Sequence, residues 1–338
     1  MRVLMFGWEF PPHISGGLGT ASYGLTKGMA TLDDLEVIFV VPKAWGDEEQ
    51  TNVRLLGANH VPVAFRQVYY KGFRRPIEKI EVSSKIVPYT DPEDFWKMTR
   101  SEVSGYNFFV QTNSKGFVDF SGKYDGSLMD EINKYAVIAS IIAEENEFDI
   151  IHAHDWLAYP AGIAAMEVSG KPLVIHVHAT DFDRSGGNIN PDVYNIEKSG
   201  MDAASKIITV SNLTRDIVIN KYHINPDKVE TVYNAVEPVE IPENQIIKKG
   251  FDEKIVTFLG RITLQKGPEY FIEAAYKVLK VMDNVRFVMA GSGDMMERMM
   301  RRAAALKITD RFHFTGFLKG PDVFTMLDMS YVYIMTSV

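Results

Sequence analysis

The sequence of 338 residues contains no cysteine. Disulfides, thiol nucleophiles and thiolate metal sites are therefore excluded, and a cytoplasmic protein is expected. Basic residues are not in excess either, because the sequence has 36 lysines and arginines but 44 aspartates and glutamates, which gives a net charge of −8. A general nucleic-acid-binding protein needs a basic face, so nucleic acid is not an expected partner.

Long hydrophobic runs are also missing. No apolar segment approaches the ~20 residues that a membrane-spanning helix needs, and the N-terminal stretch MRVLMFGWEF is interrupted too early for a signal peptide. The composition, with 46% hydrophobic and 24% charged residues, is ordinary for a globular protein. We therefore predict a soluble, cytoplasmic protein with no membrane partner, and its length suits two domains.

Short apolar runs rich in β-branched residues alternate with helical patterns along most of the chain. This alternation predicts an α/β fold with parallel sheets covered on both faces. We interpret residues 236–250, rich in proline and charge, as a linker between a first domain over residues 1–235 and a second over residues 251–338. The patterns blur over residues 45–123, which we interpret as an insertion in the first domain. The first helix is expected to bury its apolar side chains: Leu18, Ala21, Leu25, Met29 and Leu32.

One strand–loop–helix unit in the second domain places two cations between a strand and a helix. Residues 255–259 predict a buried parallel strand, and Pro268 begins a helix where a missing N–H costs nothing. The loop between them carries Arg261 and Lys266, at the strand end where ligands bind in open α/β sheets. A guanidinium and an ammonium beside a helix N-terminus suit the two phosphates of a sugar nucleotide. Two solvated cations in an ordinary loop are the alternative interpretation.

Two glycine-rich loops follow predicted strands. Gly16 and Gly17 precede a helix, and glycine permits the backbone to approach an anion at the free N–H groups there. Their spacing is not that of the dinucleotide fingerprint, and no acidic residue ends the second strand, so NAD is not expected. Gly291, Gly293 and Asp294 form a similar loop that can hold a phosphate or a ribose. For both loops, a tight turn without a ligand is the alternative.

Two histidine pairs stand at strand ends, His152 with His154 and His176 with His178. Residues two apart on a strand share a face, so each pair could hold a metal. No later carboxylate or histidine array completes a ligand set, and we therefore predict no metal. In the favoured interpretation the last member of each pair reaches a cleft and contacts a sugar hydroxyl. Asp155, just past the first strand end, is a candidate to bind an acceptor sugar.

The ordered set of motifs resembles the retaining GT-B glycosyltransferases of the glycogen/starch synthase type. Each motif alone is a weak signal, but their matching order across residues 1–338 is a strong one. The segments that carry the resemblance are FGWEFPPHISGGLG, IIHAHDW, VHATDFDR, VSN, VYNAV, LGRITLQKG and AGSGD. The resemblance implies two facing Rossmann-like domains with the active site in the cleft between them.

What the resemblance implies is transfer of glucose from ADP-glucose or UDP-glucose to an α-glucan such as glycogen, with retention. Arg261, Lys266 and His178 would be catalytic, the two cations by stabilising the departing nucleotide and the histidine by binding the transferred sugar. His154 and Asp155 would face the acceptor. No cofactor or metal is expected. The donor would also contact these residues: Gly16, Gly17, Asn234, Gly291, Gly293, Asp294 and Phe317.

The tripeptide Asp-Phe-Asp at 181–183 has the DxD form that binds a metal and a nucleotide diphosphate in one class of glycosyltransferase. Tripeptides of this kind occur by chance, and the cations at 261 and 266 would make a metal redundant. Ordinary solvated loop carboxylates are therefore the favoured interpretation.

Two departures from the family pattern affect these expectations. Ile14 stands where bacterial and plant synthases usually have a lysine before the Gly-Gly, which weakens an assignment to ADP-glucose. A Glu-x₇-Glu segment is expected just after the strand predicted over 331–335, where the chain ends. We therefore expect a C-terminally truncated chain with an incomplete second domain and poor activity. The alternatives are a carbohydrate- or nucleotide-binding protein without turnover and a nucleotide-sugar epimerase of the same architecture. The oligomeric state stays open.

Overall fold

The structure is a computed structural model that describes residues 1–14, 16–48, 53–63, 112–113, 115–122, 128–236, 252–318 and 320–337. Most of the predicted insertion lies outside these residues. The chain separates into two compact units. Unit 1 comprises Met1–Thr180 and Asn190–Glu237, and unit 2 comprises Asp181–Ile189 and Pro238–Val338. The predicted domain boundaries differ from this division at residues 181–189, which were expected in the first domain.

The described residues of unit 1 form a seven-stranded sheet in which every neighbouring pair is parallel, with the order β3-β2-β1-β4-β5-β6-β7. The strands are β1 Arg2–Phe6, β2 Glu36–Val41, β3 Arg54–Gly57, β4 Ile150–His154, β5 Leu173–Val177, β6 Lys206–Thr209 and β7 Val229–Thr231. The strand order reverses between β1 and β4. In doubly wound folds ligands bind beyond the carboxyl ends of the strands at such a reversal.

Helices connect these strands. The described helices of unit 1 are α1 Gly17–Met29, α2 Leu128–Glu145, α3 Tyr159–Ser169, α5 Pro191–Ala203 and α6 Asn212–Lys221. Side-chain caps fix two of the starts, because Asn190 accepts a hydrogen bond from the N–H of Asp192 and Ser211 accepts one from the N–H of Thr214. Gly170 ends α3 in the left-handed conformation that glycine adopts without strain.

The tyrosine of α2 fixes the carboxyl ends of the two central strands. Tyr135 is fully buried, and its hydroxyl donates to the carbonyls of Gly7 at 3.0 Å and Val40 at 2.8 Å. A Cβ at Gly7 would lie 2.4 Å from the ring of Phe39, so this position requires glycine. The loop that follows β1 therefore starts from a rigid point in the core.

The buried face of α1 differs from the prediction. Its buried residues are the small ones, Gly19, Ser22 and Thr26. Among the predicted apolar residues, Leu25 and Met29 pack only partly against the core, and Leu32 lies beyond the helix and is exposed. At Gly19 the small face packs against the preceding loop, because a Cβ there would lie 3.0 Å from side-chain atoms of Glu9 and Ile14.

In unit 2, the part of the chain that the structure describes forms a parallel four-stranded sheet with the order β10-β9-β8-β11. Its strands are β8 Lys254–Leu259, β9 Val285–Ala290, β10 Phe312–Gly316 and β11 Val332–Tyr333, and its helices are α4 Asp181–Ser185, α7 Pro268–Leu279, α8 Met296–Ala305 and α9 Pro321–Met329. A cluster of aromatic side chains, Phe258, Phe271, Phe287 and Phe312, fills its core. The order reverses between β8 and β11, as it does between β1 and β4.

Both units therefore confirm the predicted α/β class with parallel sheets. Within the described residues, no helix combines the length and the apolarity that crossing a membrane requires.

Candidate functional site

The two predicted cations of unit 2 lie in the loop that follows β8. Arg261 is exposed and Lys266 is half-buried at the end of a single 3₁₀ turn, Leu264–Lys266. Among the described residues, neither side chain makes a hydrogen bond or an ion pair. Both charges are consequently available to an anion at the carboxyl end of the sheet.

The loop is held in place next to the point where the strand order reverses. Thr336, which follows β11, donates its hydroxyl proton to the carbonyl of Lys266 at 3.0 Å. A Cβ at Gly267 would lie 2.1 Å from the carbonyl oxygen of Thr336, and Gly267 has a φ of +57°. Only glycine fits this contact. The backbone of the cation loop is thus anchored while the Lys266 side chain makes no described polar contact.

The loop after β9 interlocks with the cation loop. The N–H of Ile262 donates to the carbonyl of Ser292 at 2.9 Å, and the N–H of Met295 donates to the carbonyl of Ile262 at 3.0 Å. A Cβ at Gly291 would lie 1.8 Å from the carbonyl oxygen of Gly260, and Gly291 has a φ of +139°. The close approach of the two backbones is sufficient reason for a glycine at position 291, with or without a bound ligand. The surface at this point is formed by main-chain atoms.

The remaining predicted donor residues of unit 2 border the same edge. A Cβ at Gly293 would lie 2.3 Å from the carbonyl oxygen of Ile262, and Asp294 is exposed just before α8. The N–H of Gly291 donates to the carbonyl of Gly316 at 2.8 Å, which brings in the loop after β10. Phe317 follows there and is 51% exposed. The structure therefore collects all the donor residues predicted in this unit on three adjoining loops.

In unit 1, the predicted glycines lie at the start of α1. Gly16 is the N-cap residue, and among the described residues outside the helix and the chain neighbours, no atom lies within 4 Å of the position that a Cβ of Gly17 would take. The first turn has no acidic residue, so its free N–H groups can receive an anion. Ile14 packs against Gly19, and His13 is held 2.7 Å from a carboxylate oxygen of Asp47.

The structure joins the two histidine pairs into one cluster. Strands β4 and β5 are neighbours in which His154 stands opposite His176. The rings of His152 and His176 are stacked with centroids 5.5 Å apart, and those of His176 and His178 with centroids 4.5 Å apart. The Nδ1 atom of His154 lies 3.0 Å from the Nε2 atom of His178. The sequence shows the histidines as two separate pairs. Only the register of the two parallel strands, which the sequence does not reveal, shows that the pairs form one cluster.

Burial keeps the four imidazoles neutral. Burial, with a smaller contribution from neighbouring histidines, lowers the pKa of His152 and of His176 to about 3 and the pKa of His178 to about 4. The pKa of His154 is also held well below its usual range by burial. At neutral pH each ring therefore has one N–H donor and one acceptor nitrogen. None of them can act as a general acid by starting as an imidazolium.

The predicted acceptor residues are buried at this edge. His154 is fully buried, and Asp155 is 7% exposed. Asp155 has a φ of +61°, and its N–H donates to the carbonyl of His176 at 2.9 Å. The turn thus fixes Asp155 to the neighbouring strand. The role of both residues toward an acceptor stays a prediction.

Two other predicted features lie elsewhere. Asn234 is exposed after β7, the edge strand, which is four strands from β1, or about 19 Å at the usual strand spacing. It is therefore not brought to Gly17 within unit 1. The carboxylates at 181–183 are not solvated loop residues as expected. They lie in the short helix α4, where Asp181 is buried and 3.9 Å from the guanidinium of Arg184.

Two family models match the chain side by side. Residues 127–240 match Glycosyltransferase Family 4, and residues 241–338 match Glycosyl transferases group 1. The first match covers the second half of unit 1, and the second match covers most of unit 2. Each unit contains a doubly wound parallel sheet. The chain is a glycosyltransferase with the GT-B fold.

Similar proteins agree with the assignment of this chain to the glycosyltransferases. An uncharacterized glycosyltransferase of Methanocaldococcus jannaschii is 26% identical over 352 residues, which cover 100% of this chain and 75% of that protein. The Anabaena protein HepE, in a crystal structure with UDP and glucose, superposes with a TM-score of 0.58 at 14% identity, covering 100% of this chain and 74% of that one. At that identity the likeness shows the fold.

The predicted glycogen synthase subtype has weaker support. The glycogen synthase of Mycobacterium tuberculosis is 20% identical over 349 residues, covering 100% of this chain and 72% of that protein. This distant match leaves the donor sugar and the acceptor of the glycosyltransferase as proposals. The expected C-terminal truncation also stays a prediction.

Proposed function

We propose that this glycosyltransferase moves a glucosyl unit from ADP-glucose or UDP-glucose to an α-glucan such as glycogen, with retention. The observation that carries the proposal is the pair Arg261 and Lys266. Neither side chain has a described polar partner, and both follow β8, the strand at which the order of the sheet reverses. An anchored loop with two free cations suits a diphosphate.

The proposed chemistry requires stabilisation of the departing nucleoside diphosphate. Negative charge develops on the β-phosphate oxygen as the bond to the sugar breaks. The guanidinium of Arg261 can bind two phosphate oxygens at once, and the ammonium of Lys266 acts as a compact charge. Since fixed charges need no reorganisation during the reaction, they favour the transition state. No metal is proposed at the diphosphate.

The unit 1 edge is proposed to hold the transferred sugar and the acceptor. His178 is half-buried and neutral, so its imidazole can exchange hydrogen bonds with a sugar hydroxyl. Gly16 and Gly17 offer main-chain N–H groups to the same donor. Asn234, Asp294 and Phe317 are proposed as further donor contacts, and His154 and Asp155 as acceptor-side residues.

Two relatives support glucose as the transferred sugar. HepE was crystallised with UDP and glucose, and one matching protein is a glycogen synthase. The nucleotide base is left open between uracil and adenine. Many ADP-glucose-dependent synthases have a lysine near the phosphates at the position of Ile14. This chain lacks that cation, so UDP-glucose is tested first.

The test measures initial transfer rates of radiolabelled UDP-glucose and ADP-glucose to glycogen. We expect Arg261→Ala and Lys266→Ala each to lower kcat/KM by about 100-fold or more, because each removes a preorganised charge. Lys277→Ala is the matched control, since Lys277 is an exposed cation of α7 in the same unit. Its rates should stay within about twofold, as for an ordinary surface substitution.

The alternatives give different results in the same experiment. If both cation variants transfer glucose at rates near the unmodified chain, the proposed donor site is wrong. Calorimetric titration with UDP and ADP separates the other cases. If the unmodified chain binds the nucleotide but transfers no glucose, and the cation variants do not bind it, the protein is a binding protein without turnover. Release of an altered nucleotide sugar indicates an epimerase.

A further inference from the structure

A cluster of three histidines lies buried in unit 1. His152 is 7% exposed, His154 0% and His176 6%. The Nε2 atoms of His152 and His154 and both ring nitrogens of His176 have no hydrogen-bond partner in the described structure. A buried polar atom without a partner costs about 1–3 kcal/mol, so four such atoms in one place call for a ligand.

The three side chains together have the arrangement of a metal site. One ring nitrogen from each residue lies within 4.8 Å of the others. Tetrahedral zinc with bonds of ~2.05 Å needs its nitrogen ligands about 3.4 Å apart, so small ring rotations would close the site. The strands also fix the backbone, because His154 and His176 are register partners on β4 and β5.

We propose that His152, His154 and His176 bind one divalent transition-metal ion of the zinc class. Three imidazoles without a thiolate or carboxylate suit Zn²⁺, Cu²⁺ or Ni²⁺ better than Mg²⁺ or Ca²⁺. The site ties two neighbouring strands together just before their carboxyl ends. It does not rest on the proposed function, and it replaces the sequence expectation that neither histidine pair holds a metal.

The proposed metal also determines how His178 is held. When the Nε2 atom of His154 binds the ion, its Nδ1 atom carries the proton and donates to the Nε2 atom of His178 at 3.0 Å. That hydrogen bond fixes which nitrogen of His178 accepts. A metal-bound histidine would therefore orient a side chain that stands at the candidate site.

A second group competes for the same ion and is the natural control. His13, Asp47 and Glu48 also bring ligand atoms within 4.8 Å of one another, but His13 and Asp47 are exposed. Carboxylate and imidazole groups at a surface bind metals without being a built site. The experiment must therefore assign the ion to one of the two groups.

The experiment measures zinc in the untagged chain by mass spectrometry after refolding with zinc and removal of excess metal. We expect about one zinc per chain, the capacity of one three-histidine site, in the unmodified protein. The same content is expected in His13→Gln and in His60→Gln, which changes an exposed histidine of unit 1. The double variant His152→Gln/His176→Gln should lose the ion.

A cobalt titration of the unmodified chain makes the test independent of whether the variants fold. Co²⁺ held by buried nitrogen ligands in a four-coordinate site shows intense visible absorption bands, and surface-bound Co²⁺ shows weak ones. Intense bands that Zn²⁺ abolishes support the proposal. Their absence, or zinc that is lost only in His13→Gln, overturns it, and a buried water then remains the partner of the imidazoles.

Discussion

The Nδ1 atom of His154 lies 3.0 Å from the Nε2 atom of His178. The first residue ends β4 and is fully buried, whereas the second follows β5 and is half-buried. A buried ring thus holds a ring at the sheet edge where the proposed sugar site lies. Because both rings are neutral, one nitrogen of the pair donates and the other accepts.

His154→Phe should lower the transfer rate without weakening donor binding. In the presence of a chelator, so that loss of the proposed metal does not contribute, the substitution removes a hydrogen bond worth about 0.5–1.5 kcal/mol, and we expect kcat to fall by roughly 2- to 10-fold. His154→Asn should recover part of the loss, since its amide can reach a position near Nδ1. Steady-state rates with the preferred nucleotide glucose provide the measurement. A rise in the KM of the donor with an unchanged kcat would contradict a positioning role.

The histidine cluster should make unit 1 sensitive to acid. The unfolded chain protonates these rings below their usual pKa of 6.5, but burial lowers the pKa of folded His152 and His176 to about 3. The unfolded state therefore binds more protons below pH 6.5, and the free energy of unfolding falls as the pH is lowered toward 3.

Urea unfolding followed by tryptophan fluorescence tests this dependence, because Trp8, Trp45 and Trp156 lie in unit 1 and residues 181–189 and 238–338 contain no tryptophan. The measurements contain a chelator, which separates proton binding from metal binding. His152→Gln should make the pH dependence of the urea midpoint shallower, and His60→Gln should leave it unchanged. Equal slopes in all three proteins would show that burial of the imidazole does not cause the effect.

Gly291→Ala should destabilise unit 2 more than Gly316→Ala. Both glycines have a positive φ, but only at Gly291 would a Cβ meet another backbone, 1.8 Å from the carbonyl oxygen of Gly260. Strain at a position of this kind costs about 1–3 kcal/mol before the clash is added. Hydrogen exchange of peptides from β8 and β9 measures the difference. Similar protection in the two variants would contradict the interlocked loops.

Tyr135→Phe should destabilise unit 1 by about 1–3 kcal/mol, because it removes the buried hydroxyl proton that the carbonyls of Gly7 and Val40 share, and only the Val40 carbonyl keeps a second described donor, the N–H of Gly7. The hydroxyl of Tyr135 donates to both Gly7 and Val40. Tyr194→Phe is the matched control, since its hydroxyl makes a longer bond of 3.4 Å to the carbonyl of Lys221 at an exposed site. Its effect on the urea midpoint should be near zero. Equal losses in the two variants would rule out the proposed role of Tyr135.

The location of the cations could be predicted from the sequence, and the face of the first helix could not. The apolar run before Gly260 and the proline after Lys266 mark the end of a strand and the start of a helix. In α1, the pattern indicated leucine and methionine, but Gly19 and Thr26 are the residues that the structure buries. At Gly19 the side chains of Glu9 and Ile14 leave little room for a larger residue. The periodic pattern registers hydrophobicity and not volume, so it did not indicate this face.

Local chemistry is sufficient to determine the α/β class, the order of strands and helices and the loop that carries Arg261 and Lys266, because each depends on neighbours in the sequence. The register of parallel strands depends on residues more than twenty positions apart. Only that register placed His154 opposite His176 and joined two pairs into one cluster. Likewise, only the packed loops showed that Gly291 faces the backbone of Gly260 and that Gly267 faces that of Thr336. These contacts depend on tertiary packing across the sheet edge, which no local pattern encodes.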